Sequence, residues 1–219
     1  MKLVRYGSRK QEKPGIIDSN GSLRDLSSKI DDINAEALSS EGQEKLQSVN
    51  LNELALVDNR ELRLGVPIAN IGKVVCIGLN YVDHAKETGS PIPSEPIMFM
   101  KPTSSLNGPN DEVVLPRSIT LSQTGNENEN SFKESDQSDW EVELGVVIGE
   151  EARSVSVSSA LKYVAGYTVV NDVSEREYQM NAAGGQWIRG KGCDTFCPVG
   201  PWLVTKDEIN DPQNLDVWL

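Results

Sequence analysis

Three carboxylates stand where the predicted strands of this chain begin or end. Glu141 and Glu143 are two residues apart within an alternating strand pattern, so their side chains point to the same face. Asp172 follows a second apolar strand pattern, residues 163–170. A lone Glu-x-Glu pair is usually a solvent-exposed strand edge, but its tight apolar flanks and Asp172 favour a metal site. Three carboxylates without a spare histidine predict Mg²⁺ or Mn²⁺ rather than Zn²⁺.

The single histidine of the chain is a candidate base. His84 and Glu87 are three residues apart in a short predicted helix, residues 83–88, and can share one face. A carboxylate beside an imidazole orients the ring and raises its basicity, as expected of a general base that activates water. A surface histidine beside a surface glutamate fits the same spacing equally well, and the sequence leaves both interpretations open.

A lysine between two glycines is the third candidate. Residues 185–192 nearly match a phosphate-binding loop, but Gly192 replaces the required hydroxyl residue and Trp187 adds bulk, which disfavours a nucleotide site. Lys191 would instead carry a positive charge into an acidic pocket, where it could bind an anionic oxygen. The alternative is an ordinary lysine in a turn.

The elements that must position these residues are short strands with few helices, which predicts an α+β fold that is predominantly β. Residues 1–70 are predicted to form a small N-terminal cap domain, with strands, an Asn20-Gly21 hairpin turn and a helix within residues 27–46. A capping box predicts a second helix that begins at Ser174. The strands predicted in the second domain, residues 71–219, are 74–79, 97–100, 112–115, 140–148, 163–170, 197–204 and 215–219.

One segment of the second domain differs from the rest in composition. Residues 118–138 are almost entirely polar and have no periodicity. Such a segment lacks the apolar surface needed to offset the entropy of ordering it. We therefore expect residues 118–138 to be a solvated, disordered polar insertion.

The composition excludes several classes of protein. The chain has 219 residues and a formal net charge of -12, without clustered Lys and Arg, so we expect neither nucleic acid nor membrane as a partner. One histidine excludes zinc sites built from several histidines, and three cysteines exclude a disulfide framework. Because no apolar run suits a signal peptide or a membrane span of ~20 residues, we expect a cytoplasmic location, with a mitochondrial one left open.

Five segments of the chain resemble the fumarylacetoacetate hydrolase family in their order and spacing. They are IGLNYVDH (77–84), EPIMFMKP (95–102), DWEVELGVVIG (139–149), GYTVVNDVS (166–174) and KGCDTFCP (191–198). Residues 190–195 are most similar to members labelled ureidoglycolate lyase or 2,4-diketo-3-deoxy-sugar-acid hydrolase. The resemblance implies a mixed β-roll with few flanking helices, which is usually a homodimer.

The resemblance also implies an activity and a set of roles. The activity is hydrolysis of a C–C bond in a small 2-oxo acid, such as a 2,4-diketo-3-deoxy sugar acid or an acylpyruvate. The implied roles are ligation of Mg²⁺ or Mn²⁺ by Glu141, Glu143 and Asp172, water activation by His84 and Glu87, and contact with substrate oxygens by Lys191 and Gln179. All of these residues except Gln179 are also the candidates that the residue patterns single out.

Two alternatives to this activity stay open. The same metal site fits a decarboxylase, a lyase or a keto–enol isomerase, none of which needs attack on a second carbonyl. Members of the family continue with further strands beyond the position of Leu219, so we expect a chain truncated at its C-terminus. The alternative from another class is therefore a non-catalytic truncated product.

Overall fold

The computed structural model describes residues 1–58, 61–120, 131–181 and 184–219. Strands outnumber helices in these residues, which confirms the predominantly β, α+β class predicted from the sequence. The strands are β1 Lys2–Tyr6, β2 Lys13–Ile17, β3 Leu23–Asp25, β4 Val74–Gly78, β5 Ile97–Lys101, β6 Leu106–Asn107, β7 Arg117–Thr120, β8 Ser131–Glu134, β9 Ser138–Asp139, β10 Val142–Ile148, β11 Val164–Asn171, β12 Ser174–Glu175 and β13 Cys197–Thr205.

The helices are short. They are α1 Ala35–Leu38, α2 Ser40–Gln47, α3 Val82–Glu87, α4 Arg176–Met180 and α5 Ile188–Lys191. No helix in the described part of the chain combines the length and the hydropathy that crossing a bilayer requires. Three of the helices, α3 to α5, carry candidate site residues.

The main sheet has seven strands and joins the two ends of the chain. Its order is β10-β11-β13-β1-β2-β3, and β6 pairs in parallel with β13. Strand β1 runs antiparallel to β13, with Leu3 opposite Leu203. Strands from residues 1–70 therefore share a sheet with strands from residues 71–219, and the domain boundary at residue 70 stays a prediction. The smaller sheets are the pairs β4–β5, β7–β8 and β9–β12.

The main hydrophobic core packs α1 and α2 against this sheet. Successive residues of β1 alternate between two clusters: Leu3 belongs to the main core, and Val4 packs with Tyr6 and Leu23 in a second cluster. Strand β1 is thus buried on both faces, which explains its apolar residues at neighbouring positions. The buried residues of the main core are Leu3, Ile16, Leu26, Ile33, Ala37, Leu38, Leu46, Leu54, Ala165 and Leu203.

We expect Leu203→Ala to lower the free energy of unfolding by about 2–5 kcal/mol, the usual cost of emptying a leucine site in a core. Leu203 is fully buried and lies opposite Leu3 across the β1–β13 pair. Urea unfolding followed by circular dichroism measures the change. The matched control is Leu161→Ala, since Leu161 is 63% exposed and its loss should change stability by less than about 0.5 kcal/mol. Equal stability of the two variants would contradict a core shared by both ends of the chain.

The polar insertion is more ordered at its ends than its composition predicts. Strands β7 and β8 form an antiparallel hairpin in which Arg117 lies opposite Glu134. The Arg117 guanidinium donates to the Glu134 carboxylate at 2.6 Å, and this cross-strand ion pair is exposed. The prediction of a disordered loop is wrong for these ends, because backbone pairing does not need an apolar pattern. Residues 121–130 lie outside the described residues.

Other differences from the predicted elements have local causes. The helix predicted within residues 27–46 is two helices, because Ser39 ends α1 and caps α2 by accepting from the Gly42 amide at 3.0 Å. The helix predicted to begin at Ser174 begins at Arg176 instead. Ser174 pairs with Asp139 in the β9–β12 ladder, and Glu175 caps α4. Residues 112–115 and 215–219 are not strands.

Candidate functional site

The three carboxylates predicted from the sequence meet at the paired ends of β10 and β11. Glu143 lies opposite Val170 in the antiparallel register of these strands. Glu141 precedes β10 and Asp172 follows β11, and the Asp172 amide donates to the Glu141 carbonyl at 2.9 Å. The register therefore brings together Glu141 and Asp172, which are 31 residues apart in the sequence.

The pKa of Glu143 reflects its burial and the closeness of the other two carboxylates. Burial, followed by repulsion from the charges of Glu141 and Asp172, raises the pKa of Glu143 to about 7. The Tyr81 hydroxyl hydrogen-bonds Glu143 and also accepts from the Leu144 amide at 3.1 Å. Tyr81 thus ties the segment before α3 to β10, directly beside the carboxylate cluster.

Two buried lysines neutralise the cluster. The Lys191 ammonium donates to Glu141 Oε2 at 2.7 Å and to Asp172 Oδ2 at 2.8 Å. The Lys101 ammonium donates to Asp172 Oδ1 at 2.6 Å and to the Val173 carbonyl at 3.0 Å. Lys101 and Lys191 are only 1% and 2% exposed, so these are desolvated ion pairs. Each oxygen of the Asp172 carboxylate has its own lysine partner.

An arginine that the sequence reasoning did not single out extends the cluster. The Arg176 guanidinium forms ion pairs with Glu141 at 2.6 Å and with Asp139 at 2.7 Å. It also donates to Gln179 Oε1 at 3.0 Å. Gln179, predicted to contact substrate, is buried and reaches the carboxylates through Arg176. In the sequence, Arg176 lies within a capping-box pattern, which indicates the start of a helix but not a charge contact with Glu141.

Helix α5 can place Lys191 in the cluster because Gly190 lacks a side chain. A Cβ on Gly190 would lie 2.4 Å from the Glu175 carbonyl and 2.6 Å from the Gln179 amide, too close for any other residue. Trp187 precedes α5 and packs edge-to-face on Phe99 of β5, with ring centroids 5.5 Å apart. The Lys191 ammonium lies 5.2 Å from the centroid of the same Phe99 ring.

The predicted dyad lies on α3, which follows Tyr81. His84 is half-buried and Glu87 is exposed, and no hydrogen bond or ion pair joins their side chains. The backbone carbonyl of His84 accepts from Thr88 at the end of the helix. The structure therefore ties the start of α3 to the carboxylates through Tyr81, while the role of His84 and Glu87 as a dyad stays a prediction.

The donor chemistry of the cluster fits a hard divalent cation, because carboxylate oxygens are the ligands that Mg²⁺ and Mn²⁺ prefer. Among the residues that the structure describes, no three His, Cys, Asp or Glu side chains are arranged around a common point as a metal centre requires. The Lys191 ammonium supplies positive charge between Glu141 and Asp172 instead. The cluster thus offers carboxylate oxygens, the donor type for a cation, and lysine ammonium groups, the donor type for an anion.

Comparison with known proteins gives one family. Residues 73–219 match the family model described as Fumarylacetoacetate (FAA) hydrolase C-terminal. The chain is 55% identical over all of its 219 residues to a 2,4-didehydro-3-deoxy-L-rhamnonate hydrolase from Sphingomonas sp. (strain SKA58), and it covers 69% of that relative.

Solved structures agree with this match. The chain superposes on a fumarylacetoacetate hydrolase from psychrophilic Exiguobacterium antarcticum with a TM-score of 0.74 and 28% identity, covering 96% of this chain and 68% of that one. It also superposes on a maleylpyruvate hydrolase from Sphingobium sp. SYK-6, with a TM-score of 0.71 and 26% identity, covering 97% of this chain and 70% of that one. That neighbour is in complex with manganese(II) ion and pyruvate.

Proposed function

Because the chain belongs to the fumarylacetoacetate hydrolase family, we propose that it is a Mg²⁺- or Mn²⁺-dependent hydrolase that cleaves a C–C bond in a 2-oxo acid. The chain is an enzyme of a family whose named relatives include hydrolases. The substrate class is a diketo acid, such as a 2,4-diketo-3-deoxy sugar acid or an acylpyruvate. The relative that is 55% identical is named for a sugar acid of this class, which supports the first of these two.

The observation that carries the proposal is the group formed by buried Asp172 and half-buried Glu141 and Glu143, with Lys191 against it. The three carboxylates would hold the cation, which when bound polarises the oxo and carboxylate oxygens of the acid. A neighbour of 26% identity binds manganese(II) and pyruvate together, which supports a divalent cation beside a 2-oxo acid. The homodimer and the cytoplasmic location stay predictions.

The residues of the chain supply the remaining chemistry. In this proposal an imidazole nitrogen of His84, with Glu87 as the second member of the dyad, would take a proton from water as the water oxygen attacks the second carbonyl. The C–C bond then breaks, and its electron pair passes to the 2-oxo acid fragment as an enolate. Lys191 binds the anionic oxygen of that fragment. The fragment regains the proton at carbon, so the products are a carboxylic acid and a 2-oxo acid.

A substrate panel tests the proposed activity. The protein, freed of metal with EDTA, is given Mg²⁺ or Mn²⁺ and then a diketo sugar acid, an acylpyruvate or oxaloacetate. We expect release of a 2-oxo acid from the first two, dependent on the added metal, and none without it. Turnover of oxaloacetate alone would favour a decarboxylase, and hydrolysis in the presence of EDTA would contradict the metal requirement.

We expect His84→Gln to lower kcat by about 10²-fold, the lower end of what a general base contributes, while cation binding stays unchanged. Steady-state kinetics and a Mn²⁺ titration of the same preparation measure the two quantities. Lys86→Gln is the control, because Lys86 lies on the exposed side of the same helix. Wild-type turnover by the His84 variant would show that this histidine is a surface residue, the alternative that its spacing leaves open.

A further inference from the structure

We propose that Lys191 is a displaceable internal counter-ion that couples cation binding to anion binding. In this proposal its ammonium group neutralises Glu141 and Asp172 until a divalent cation replaces it. The released ammonium then binds an anionic oxygen of the 2-oxo acid. The inference rests on the proposed function, since it concerns how the same carboxylate site is filled.

The contacts of Lys191 place its charge where a cation would compete with it. Its ammonium bridges Glu141 Oε2 and Asp172 Oδ2 at 2.7 and 2.8 Å, so one positive charge is shared by two of the three proposed ligands. The side chain is 3% exposed, and water screens the charge very little. A divalent cation held by the same oxygens would be strongly repelled by an ammonium that stayed between them.

Lys101 and Lys191 differ in their hydrogen-bond partners, and this difference makes Lys101 a fixed charge and Lys191 a displaceable one. The Lys101 ammonium donates to Asp172 Oδ1 and to the backbone carbonyl of Val173, so it is anchored to β11 and the residue that follows it. The hydrogen bonds of Lys191 go to carboxylates alone, beside the face of Phe99. Displacement of Lys191 therefore leaves no backbone carbonyl without a partner, whereas displacement of Lys101 would.

Cation binding and anion binding are coupled because the displaced Lys191 ammonium needs a new partner. A buried ammonium without a partner is unfavourable, so a cation that displaces Lys191 binds weakly unless something else binds the lysine. An anionic oxygen of a 2-oxo acid provides that partner. Since linkage is reciprocal, the acid must strengthen cation binding by the same factor by which the cation strengthens binding of the acid.

A Mn²⁺ titration with and without pyruvate tests this coupling. The signal of free Mn²⁺ in electron paramagnetic resonance gives the dissociation constant of the metal, and pyruvate is the anionic probe. For the unaltered protein we expect pyruvate to tighten Mn²⁺ binding about tenfold, within the ~5–150-fold range of such couplings. Equal affinity with and without pyruvate would overturn the proposal.

Lys191→Met should separate the two effects. We expect this variant to bind Mn²⁺ alone about tenfold more tightly than the unaltered protein, and to show a much smaller response to pyruvate, because only the direct contact between pyruvate and the cation remains. Lys191→Gln, which keeps a hydrogen-bond donor without the charge, should behave in the same way and serves if the methionine variant does not fold. Weaker binding of Mn²⁺ by these variants, or a response to pyruvate as large as that of the unaltered protein, would contradict a displaceable lysine.

Lys101→Met is the matched control, because it removes an equally buried charge from the same carboxylate. It should change Mn²⁺ affinity by a similar factor with and without pyruvate. The ratio of the Mn²⁺ dissociation constants measured without and with pyruvate should therefore stay near that of the unaltered protein. If pyruvate failed to tighten Mn²⁺ binding in this variant too, the coupling would depend on the total charge of the cluster rather than on Lys191. If no form of the protein bound Mn²⁺ even with pyruvate, the proposed metal site itself would be wrong.

Discussion

Glu141→Gln is expected to abolish divalent-cation binding and catalysis together. The substitution keeps the size of the side chain and removes one of the three carboxylates proposed as ligands. It also leaves Lys191 and Arg176 without the carboxylate that lies 2.7 and 2.6 Å from their nitrogens. Because a bound metal ion contributes several kcal/mol to catalysis, kcat/KM should fall by a factor on the order of 10⁴.

The measurement pairs steady-state kinetics with a Mn²⁺ titration of the Glu141→Gln protein. Glu177→Gln is the control, since Glu177 is an exposed carboxylate on α4 and its loss should leave both quantities close to those of the unaltered protein. Circular dichroism establishes that each variant is folded. Hydrolysis with the usual Mg²⁺ dependence in Glu141→Gln would sink the assignment of this carboxylate as a ligand.

The second large effect is on stability. Asp172→Asn should lower the free energy of unfolding by about 3–5 kcal/mol, because breaking a buried ion pair on one side leaves an uncompensated buried charge. Asp172 is 4% exposed and accepts from two lysines that are themselves buried. The midpoint of thermal unfolding should fall by roughly 10 °C for a chain of this length.

Unfolding of Asp172→Asn and of the unaltered protein is measured with EDTA present, so that loss of bound metal does not contribute to the difference in stability. A double variant, Lys101→Met with Asp172→Leu, removes both members of the Lys101 pair and should recover part of the lost stability. A change below about 0.5 kcal/mol in Asp172→Asn would mean that the two lysines find other partners, and that the cluster does not hold the ends of β10 and β11 together.

Local patterns in the sequence predicted the elements that carry the site better than those that surround it. The period of two around Glu141 and Glu143 predicted β10, and the apolar run before Asp172 predicted β11, because each pattern reflects one strand and its immediate neighbours. The pattern does not show which face of β10 is buried. Val146 and Ile148 are 50% and 56% exposed, whereas Val147 packs against the core.

Charges brought in by other elements were not predictable in this way. Lys101 ends a strand that alternates between half-buried and exposed residues, and a lysine at such a position is ordinarily solvated. It is buried because β5 places it against Asp172 and Val173, 71 and 72 residues away in the sequence. Arg176 is a similar case, since its ion pair with Asp139 depends on the β9–β12 pairing.

The sequence by itself determined the chemistry available to this protein: three carboxylates suited to a hard cation, one histidine, and a lysine flanked by glycines. It also determined the predominantly β class, because strand periodicity is a local property. The tertiary structure decided which of these groups meet and how their charges are neutralised. Pairings such as Leu3 with Leu203 join positions 200 residues apart, and burial of Lys101 and Lys191 arises only when such distant segments pack together.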